Sequence, residues 1–178
     1  MAKRYKLKKL NILGNKLFLI CPFSQMETFL RNHYGGEIYF ATAMGSLFKF
    51  DDKDYFNYFK HFIQRSNITE INLVVDTSCR FLNNVLTQEQ DYNTNTEKEL
   101  LSVFLKNYED IVEHTAINKK QQFLAELIIK YQTDKLLNIS FFESLIRQNL
   151  ITLRGLITTI SKNEKFEVKN VNKKTQHH

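Results

Sequence analysis

Short apolar runs and longer amphipathic stretches alternate along the first half of the chain. Residues 16–20, 37–40 and 70–75 are rich in β-branched, aromatic and aliphatic side chains, and the last two runs carry few polar interruptions, as strands covered on both faces do. Residues 24–33 and 53–65 lie between them with helical periodicity, and the second stretch places Tyr55, Phe59, Phe62 and Ile63 on one face. Asp51 or Asp52 stands where a carboxylate caps that helix. The acidic cluster Asp51-Asp52-Asp54 therefore reads as capping and solvation rather than as a metal site. Strand, helix and strand in this rhythm predict right-handed crossovers and an α/β fold with a mainly parallel sheet.

The second half is mostly helical. Residues 96–114 and 118–135 predict two long amphipathic helices, the latter with Leu124, Leu127, Ile128 and Tyr131 at helical spacing. A shorter helix is expected over 141–148, after which 150–153 and 156–160 flank Gly155 as a final strand or hairpin. The polar stretch 87–95 is expected to be a mobile loop between the two halves of one domain. The organisation is thus a basic N-terminal segment over 1–15, a single domain over 16–168 and a disordered tail over 169–178.

Composition narrows the class. A chain of 178 residues with 43% hydrophobic and 13% aromatic content is large enough to bury a core. No run approaches the roughly 18 apolar residues of a membrane helix, and no secretory leader pattern is visible, so a cytoplasmic protein is expected. The formal charge of +6 lies at the ends: Lys3, Arg4, Lys6, Lys8 and Lys9 crowd the first ten residues, and 162–178 adds a further net three. The body between is slightly acidic, so solubilising tails are expected rather than a phosphate-tracking groove, and nucleic acid is not an expected partner.

The candidate chemistry lies at two strand ends. Cys21 and Cys79 are the only cysteines; the first follows Leu17-Phe18-Leu19-Ile20 and the second lies just beyond Leu73-Val74-Val75. In a reducing compartment such a pair reads as free thiols or metal ligands rather than a structural disulfide. Asp76 precedes the second by three residues in Asp76-Thr77-Ser78-Cys79, so two thiolates and a carboxylate can meet at one zinc ion, Cys21, Asp76 and Cys79 being the ligands. The competing reading is that Asp76 or Ser78 caps the helix that follows. His33, His61 and His114 sit in separate helical segments, and neither a glycine-rich phosphate loop nor a Ser–His–Asp arrangement is present.

In order and spacing these residues resemble the β-class carbonic anhydrases over about 16–168. Cys21-Pro22-Phe23-Ser24-Gln25 lies where that family has C-x-D-x-R, and Asp76-Thr77-Ser78-Cys79 lies where it has H-x-x-C. Ala43-Met44-Gly45-Ser46 is similar to its N-A-G-N turn with only the glycine kept, and 142–165, containing Ile151-Thr152-Leu153-Arg154-Gly155-Leu156-Ile157, resembles its ending. The resemblance implies a mainly parallel central sheet flanked by helices with a C-terminal antiparallel edge strand. It also implies a homodimer, and a zinc ion held by two thiolates and an imidazole whose hydroxide attacks carbon dioxide.

The departures fall on that chemistry. Phe23 replaces the motif aspartate, Gln25 the arginine, Asp76 the histidine ligand, and Arg80 the glycine that follows the second cysteine. Two thiolates and a carboxylate would leave a zinc unit one charge more negative than the family's, weakening the Lewis acid and raising the pKa of its water. Phe23 cannot orient a hydroxide, and Gln25 has no fixed charge. The expectation is a degenerate member, a binding or regulatory protein without normal carbon dioxide hydration. The alternatives are a divergent zinc lyase with a Cys21–Asp76–Cys79 site and a basic-tailed interaction module. Arg80 is the candidate contact for an anion such as bicarbonate. Without metal, the two thiols are also a pair able to form a reversible disulfide.

Overall fold

The computed structural model describes residues 14–88, 92–159 and 164–168. Its strands are β1 (Asn15–Ile20), β2 (Ile38–Thr42), β3 (Ile68–Asp76), β4 (Thr152–Thr159) and β5 (Glu164–Val168). They form one sheet in the order β2-β1-β3-β4-β5. Neighbours from β2 to β4 run parallel, and β5 pairs antiparallel with β4 at the edge. This is the mainly parallel sheet with an antiparallel edge strand that the resemblance implied. The segments on either side of Gly155 are one continuous strand rather than a hairpin, because Thr152 to Thr158 stay in unbroken register with Glu70 to Asp76.

Alternation along the strands divides two cores. Leu17 and Leu19 of β1, Ile71, Leu73 and Val75 of β3, and Leu153 and Ile157 of β4 face the larger one. Phe18, Ile20, Val74 and Leu156 face the smaller, which Met26 and Leu30 complete. Burial on both faces explains the unbroken apolar Leu73-Val74-Val75 towards the end of β3. Each fully buried large side chain there contributes about 1.5–3 kcal/mol.

The helices are α1 (Glu27–His33), α2 (Lys53–Arg65), α3 (Arg80–Thr87), α4 (Asn95–Lys106), α5 (Tyr108–Glu113), α6 (Ile117–Leu137) and α7 (Ser140–Arg147). Asp52 is the carboxylate that caps α2, accepting the Asp54 and Tyr55 N–H groups at 3.0 Å each. Phe59 and Ile63 of α2 are buried in the larger core, with Tyr55 and Phe62 at its margin. Leu124, Ile128, Ile129 and Leu136 of α6 join the same core, while the short α1 supplies Leu30 to the other face.

One helix expected over 96–114 is two. Asn107, at φ −124°, breaks it between α4 and α5. Its side-chain amide donates to the Val103 carbonyl at 2.8 Å, one of the local bonds by which asparagine competes with helical pairing. The N-terminus of α4 is instead well determined, since Thr94 and Glu97 form a reciprocal capping box. Asn15, placed by the sequence in the basic N-terminal segment, already belongs to β1. Residues 1–13, the centre of the expected mobile loop at 89–91 and the tail at 169–178 lie outside the described residues. No helix among the described residues is long and apolar enough to cross a membrane.

Candidate functional site

Parallel pairing of β1 with β2 and β3 brings the carboxyl ends of all three strands to the same side of the sheet. Cys21 follows the last residue of β1, and Cys79 lies in the turn between β3 and α3, a turn closed by the Cys79 N–H on the Asp76 carbonyl at 3.1 Å. Both thiols are buried, and their Sγ atoms are 3.6 Å apart, with Cys79 donating to Cys21.

The third strand contributes a backbone donor. After β2 the chain makes a 3-10 turn over Met44–Ser46 in which Gly45 has φ 63° and ψ 15°, the left-handed region that glycine enters without strain. The Gly45 N–H donates to Cys21 Sγ at 3.3 Å, and the Ser46 hydroxyl pins the turn to the Val74 carbonyl at 2.8 Å. The kept glycine thus places a donor on a sulfur. The Cys79 S–H holds the Cys21 thiol down to about 6, with the amides of Phe23, Gly45 and Ser46 adding to the effect and burial opposing it. Cys79 moves the opposite way, pushed up because its proton is shared with Cys21 and because it is buried beside that negative charge.

Asp76 does not join the sulfurs. Its Oδ1 accepts the Ser78 N–H at 2.8 Å and also the Ser78 hydroxyl, while Oδ2 accepts the buried Thr158 hydroxyl at 2.6 Å. Thr158 is the register partner of Asp76 on β4. The same junction carries the Thr77 N–H on the Thr158 carbonyl at 2.9 Å and a 2.8 Å bond between the Thr77 and Thr159 hydroxyls. Oxygen chemistry therefore collects between β3 and β4, and sulfur chemistry between β1 and β3. Sequence reasoning missed Thr158. The available signal was the pair Thr158-Thr159 directly after the apolar Leu156-Ile157, since a buried hydroxyl needs a partner.

No protein-family model matches the chain, and no curated protein matches it either. Solved structures do match. One of two tetrameric β-carbonic anhydrases from the filamentous ascomycete Sordaria macrospora superposes with a TM-score of 0.75 at 14% identity, over 88% of this chain and 81% of that one. The β-carbonic anhydrase CafD of Aspergillus fumigatus gives 0.72 at 12% identity over 94% of both chains. The Coccomyxa β-carbonic anhydrase, solved in complex with acetazolamide, gives 0.70 at 14% over 87% and 72%. The fold is that of the β-carbonic anhydrases.

The zinc ion that this fold implies can be tested against the donor set. Two sulfurs at the usual 2.3 Å from a tetrahedral zinc lie about 3.8 Å apart, so the thiol spacing of 3.6 Å suits a metal. The third ligand does not. The oxygens of Asp76 are engaged by Ser78 and Thr158, and no group of three His, Cys, Asp or Glu side chains able to hold a metal exists among the described residues. As arranged, the residues supply two ligands and do not fit a zinc tripod.

The other motif positions make a surface layer. Phe23, 49% exposed, meets Phe81 edge to face at 5.5 Å, and the exposed Arg80 lays its guanidinium 4.2 Å from the centre of the Phe23 ring. Arg80 also acts on the carboxylate of Glu97, which is held below the usual range chiefly by the Thr94 N–H and further by the arginine's charge. Gln25 ends the Pro22–Ser24 turn at φ 48° and is exposed. Of the histidines, His33 lies against Phe29 and His114 against Phe123.

Proposed function

We propose that this chain keeps the β-carbonic anhydrase scaffold without its hydration chemistry and acts as a binding or regulatory protein. The observation that carries the reading is the placement of Asp76, the residue at the imidazole position, in a hydroxyl cluster with Ser78 and Thr158. Recruiting it to a metal would strip the buried Thr158 hydroxyl of the acceptor it now uses, a cost of about 1–3 kcal/mol. Phe23 and Gln25 further remove the acceptor and the fixed charge that would orient a hydroxide.

Concave polar space lies at the oxygen corner. A cleft of about 350 Å³ is lined there by Thr77, Ser78, Asn83, Gln121, Gln122 and Thr159 among others, and by neither cysteine. A small polar ligand at the carboxyl ends of parallel strands is consistent with where such sheets bind. The Sordaria proteins are described as tetrameric, and we propose self-association here too, at least to a homodimer, which analytical ultracentrifugation checks. Bicarbonate at Arg80 is not favoured, since that guanidinium already lies on an aromatic ring within the field of Glu97.

The second reading, a divergent zinc lyase with Cys21, Asp76 and Cys79 as ligands, draws its support from the metal-like spacing of the sulfurs. Stopped-flow carbon dioxide hydration with the zinc-supplemented protein separates the two. The proposed function predicts a rate equal to the buffer's. A rate well above buffer that disappears in Cys79→Ser establishes the lyase instead.

A further inference from the structure

We propose that Cys21 and Cys79 are a reversible redox pair, closing into an intramolecular disulfide when the chain meets a small hydroperoxide and reopening with a dithiol reductant. The inference goes beyond the proposed function and rests on it in one respect, that no metal holds the two sulfurs.

The geometry carries it. A disulfide needs about 2.05 Å between sulfurs, so the present 3.6 Å closes by roughly 1.5 Å. Neither cysteine lies within a strand: Cys21 follows β1 and opens the Pro22–Ser24 turn, and Cys79 lies in the turn between β3 and α3, so the closure falls on two turns and not on a strand ladder. Among the described residues no third ligand joins the sulfurs, Asp76 being bound to Ser78 and Thr158. Cys21 accepts both the Cys79 S–H and the Gly45 N–H, which stabilise negative charge on its sulfur and leave Cys79, the donor, as the resolving thiol.

The chemistry balances with the hydroperoxide as oxidant. The Cys21 thiolate attacks the terminal peroxide oxygen; the O–O bond breaks, the leaving oxygen takes a proton from solvent and departs as water or an alcohol, and Cys21 becomes a sulfenic acid. The Cys79 sulfur then displaces the hydroxyl group. The S–S bond forms as the S–O bond breaks, and water leaves with the Cys79 proton. Two electrons have passed from the thiol pair to the peroxide. A dithiol reductant returns them by exchange. A resolving thiol in contact with the attacked sulfur makes this outcome faster than further oxidation to sulfinic acid.

The test uses the full chain, freed of metal with a chelator. It is treated with hydrogen peroxide, unfolded in N-ethylmaleimide and analysed by peptide mass. The expected product is a linked Cys21–Cys79 peptide within one chain, with a mass lower by two hydrogen atoms, no alkylated thiol and full reversal by dithiothreitol. Cys79→Ser should instead drive Cys21 to sulfinic acid, whereas Cys21→Ser should leave Cys79 an alkylatable thiol. In a second arm the reduced chain is refolded in a glutathione redox buffer, where entry of oxidant into the folded interior is not required, and the same link is expected. The proposal is overturned if neither arm yields the link, if it joins two chains, or if Cys79 stays alkylatable after Cys21 has become sulfinic acid. Hydration activity with stoichiometric retained zinc would overturn the proposed function. Failure to cross-link in the metal-free chain overturns the redox pair alone.

Discussion

Two corners at the carboxyl ends of the inner strands differ in what they hold. Between β1 and β3 the thiols of Cys21 and Cys79 face each other beneath a glycine N–H, and between β3 and β4 Asp76 is surrounded by the hydroxyls of Ser78 and Thr158. The anhydrase fold implies one site drawing on both sets, with sulfurs and a third ligand on a common metal. Here the oxygens of Asp76 accept instead from Ser78 and from the buried Thr158 across the sheet. A neighbouring hydroxyl can thus claim a carboxylate that a metal site in this fold would otherwise use.

The comparison breaks most visibly on reactivity. The thiolate is the nucleophile, so iodoacetamide modification of Cys21 should slow about tenfold for each pH unit below a midpoint of about 6. In Cys79→Ala the midpoint should climb toward the ordinary thiol value, because the largest cause of the depression has gone. Peptide-resolved alkylation rates decide this, and a midpoint unchanged in Cys79→Ala would mean that the sulfurs do not share a proton. The linked stability effect has a definite sign. A depressed thiol pKa stabilises the fold above the unfolded value of about 8.5, and this contribution from Cys21 is lost as pH falls through about 6.

Unfolding in urea sharpens the contrast further. Asp76→Ala removes the acceptor for Ser78 and Thr158 in a buried site and should cost about 3 kcal/mol, whereas Cys79→Ala, which deletes one weak sulfur bond, should cost about 1 kcal/mol. Equal losses would show that the oxygen corner is no stronger than the sulfur corner. Gly45→Ala tests the turn above Cys21. An added Cβ meets Thr96 Cγ2 at 3.6 Å and Phe81 Cβ at 3.7 Å, ordinary contacts, so the cost is backbone strain at φ 63°, about 1–2 kcal/mol. The smallest effect belongs to Thr159→Val, which loses the partly exposed bond to Thr77, about 0.5 kcal/mol by the same measurement.

Much of this was legible in the residues because the signals were local. The bounds of α2 follow from the Asp52 cap and the spacing of Phe59 and Ile63, and the core of β3 follows from the consecutive apolar Leu73-Val74-Val75, too dense for a half-exposed strand. The convergence of Cys21 and Cys79 followed from motif order and parallel strand ends. The destination of Asp76 was not legible. The Ser78 contact lies two residues away, but Thr158 lies 82 residues on, and nothing in Asp76-Thr77-Ser78-Cys79 says which threonine the sheet will set opposite. The break at Asn107 was missed for a different reason, since the apolar periodicity continues through Tyr108 and Ile111 while one side-chain amide ends the helix.

The most direct test of the central claim is the zinc content of the wild-type chain beside Asp76→His, after saturation with zinc and gel filtration. If Asp76 belongs to the hydroxyl corner, the wild type retains far less than one zinc per chain, and Asp76→His, which restores an imidazole at that position, approaches one. One zinc per wild-type chain, with X-ray absorption showing two sulfur ligands and a carboxylate oxygen that is lost in Asp76→Ala, would contradict the account.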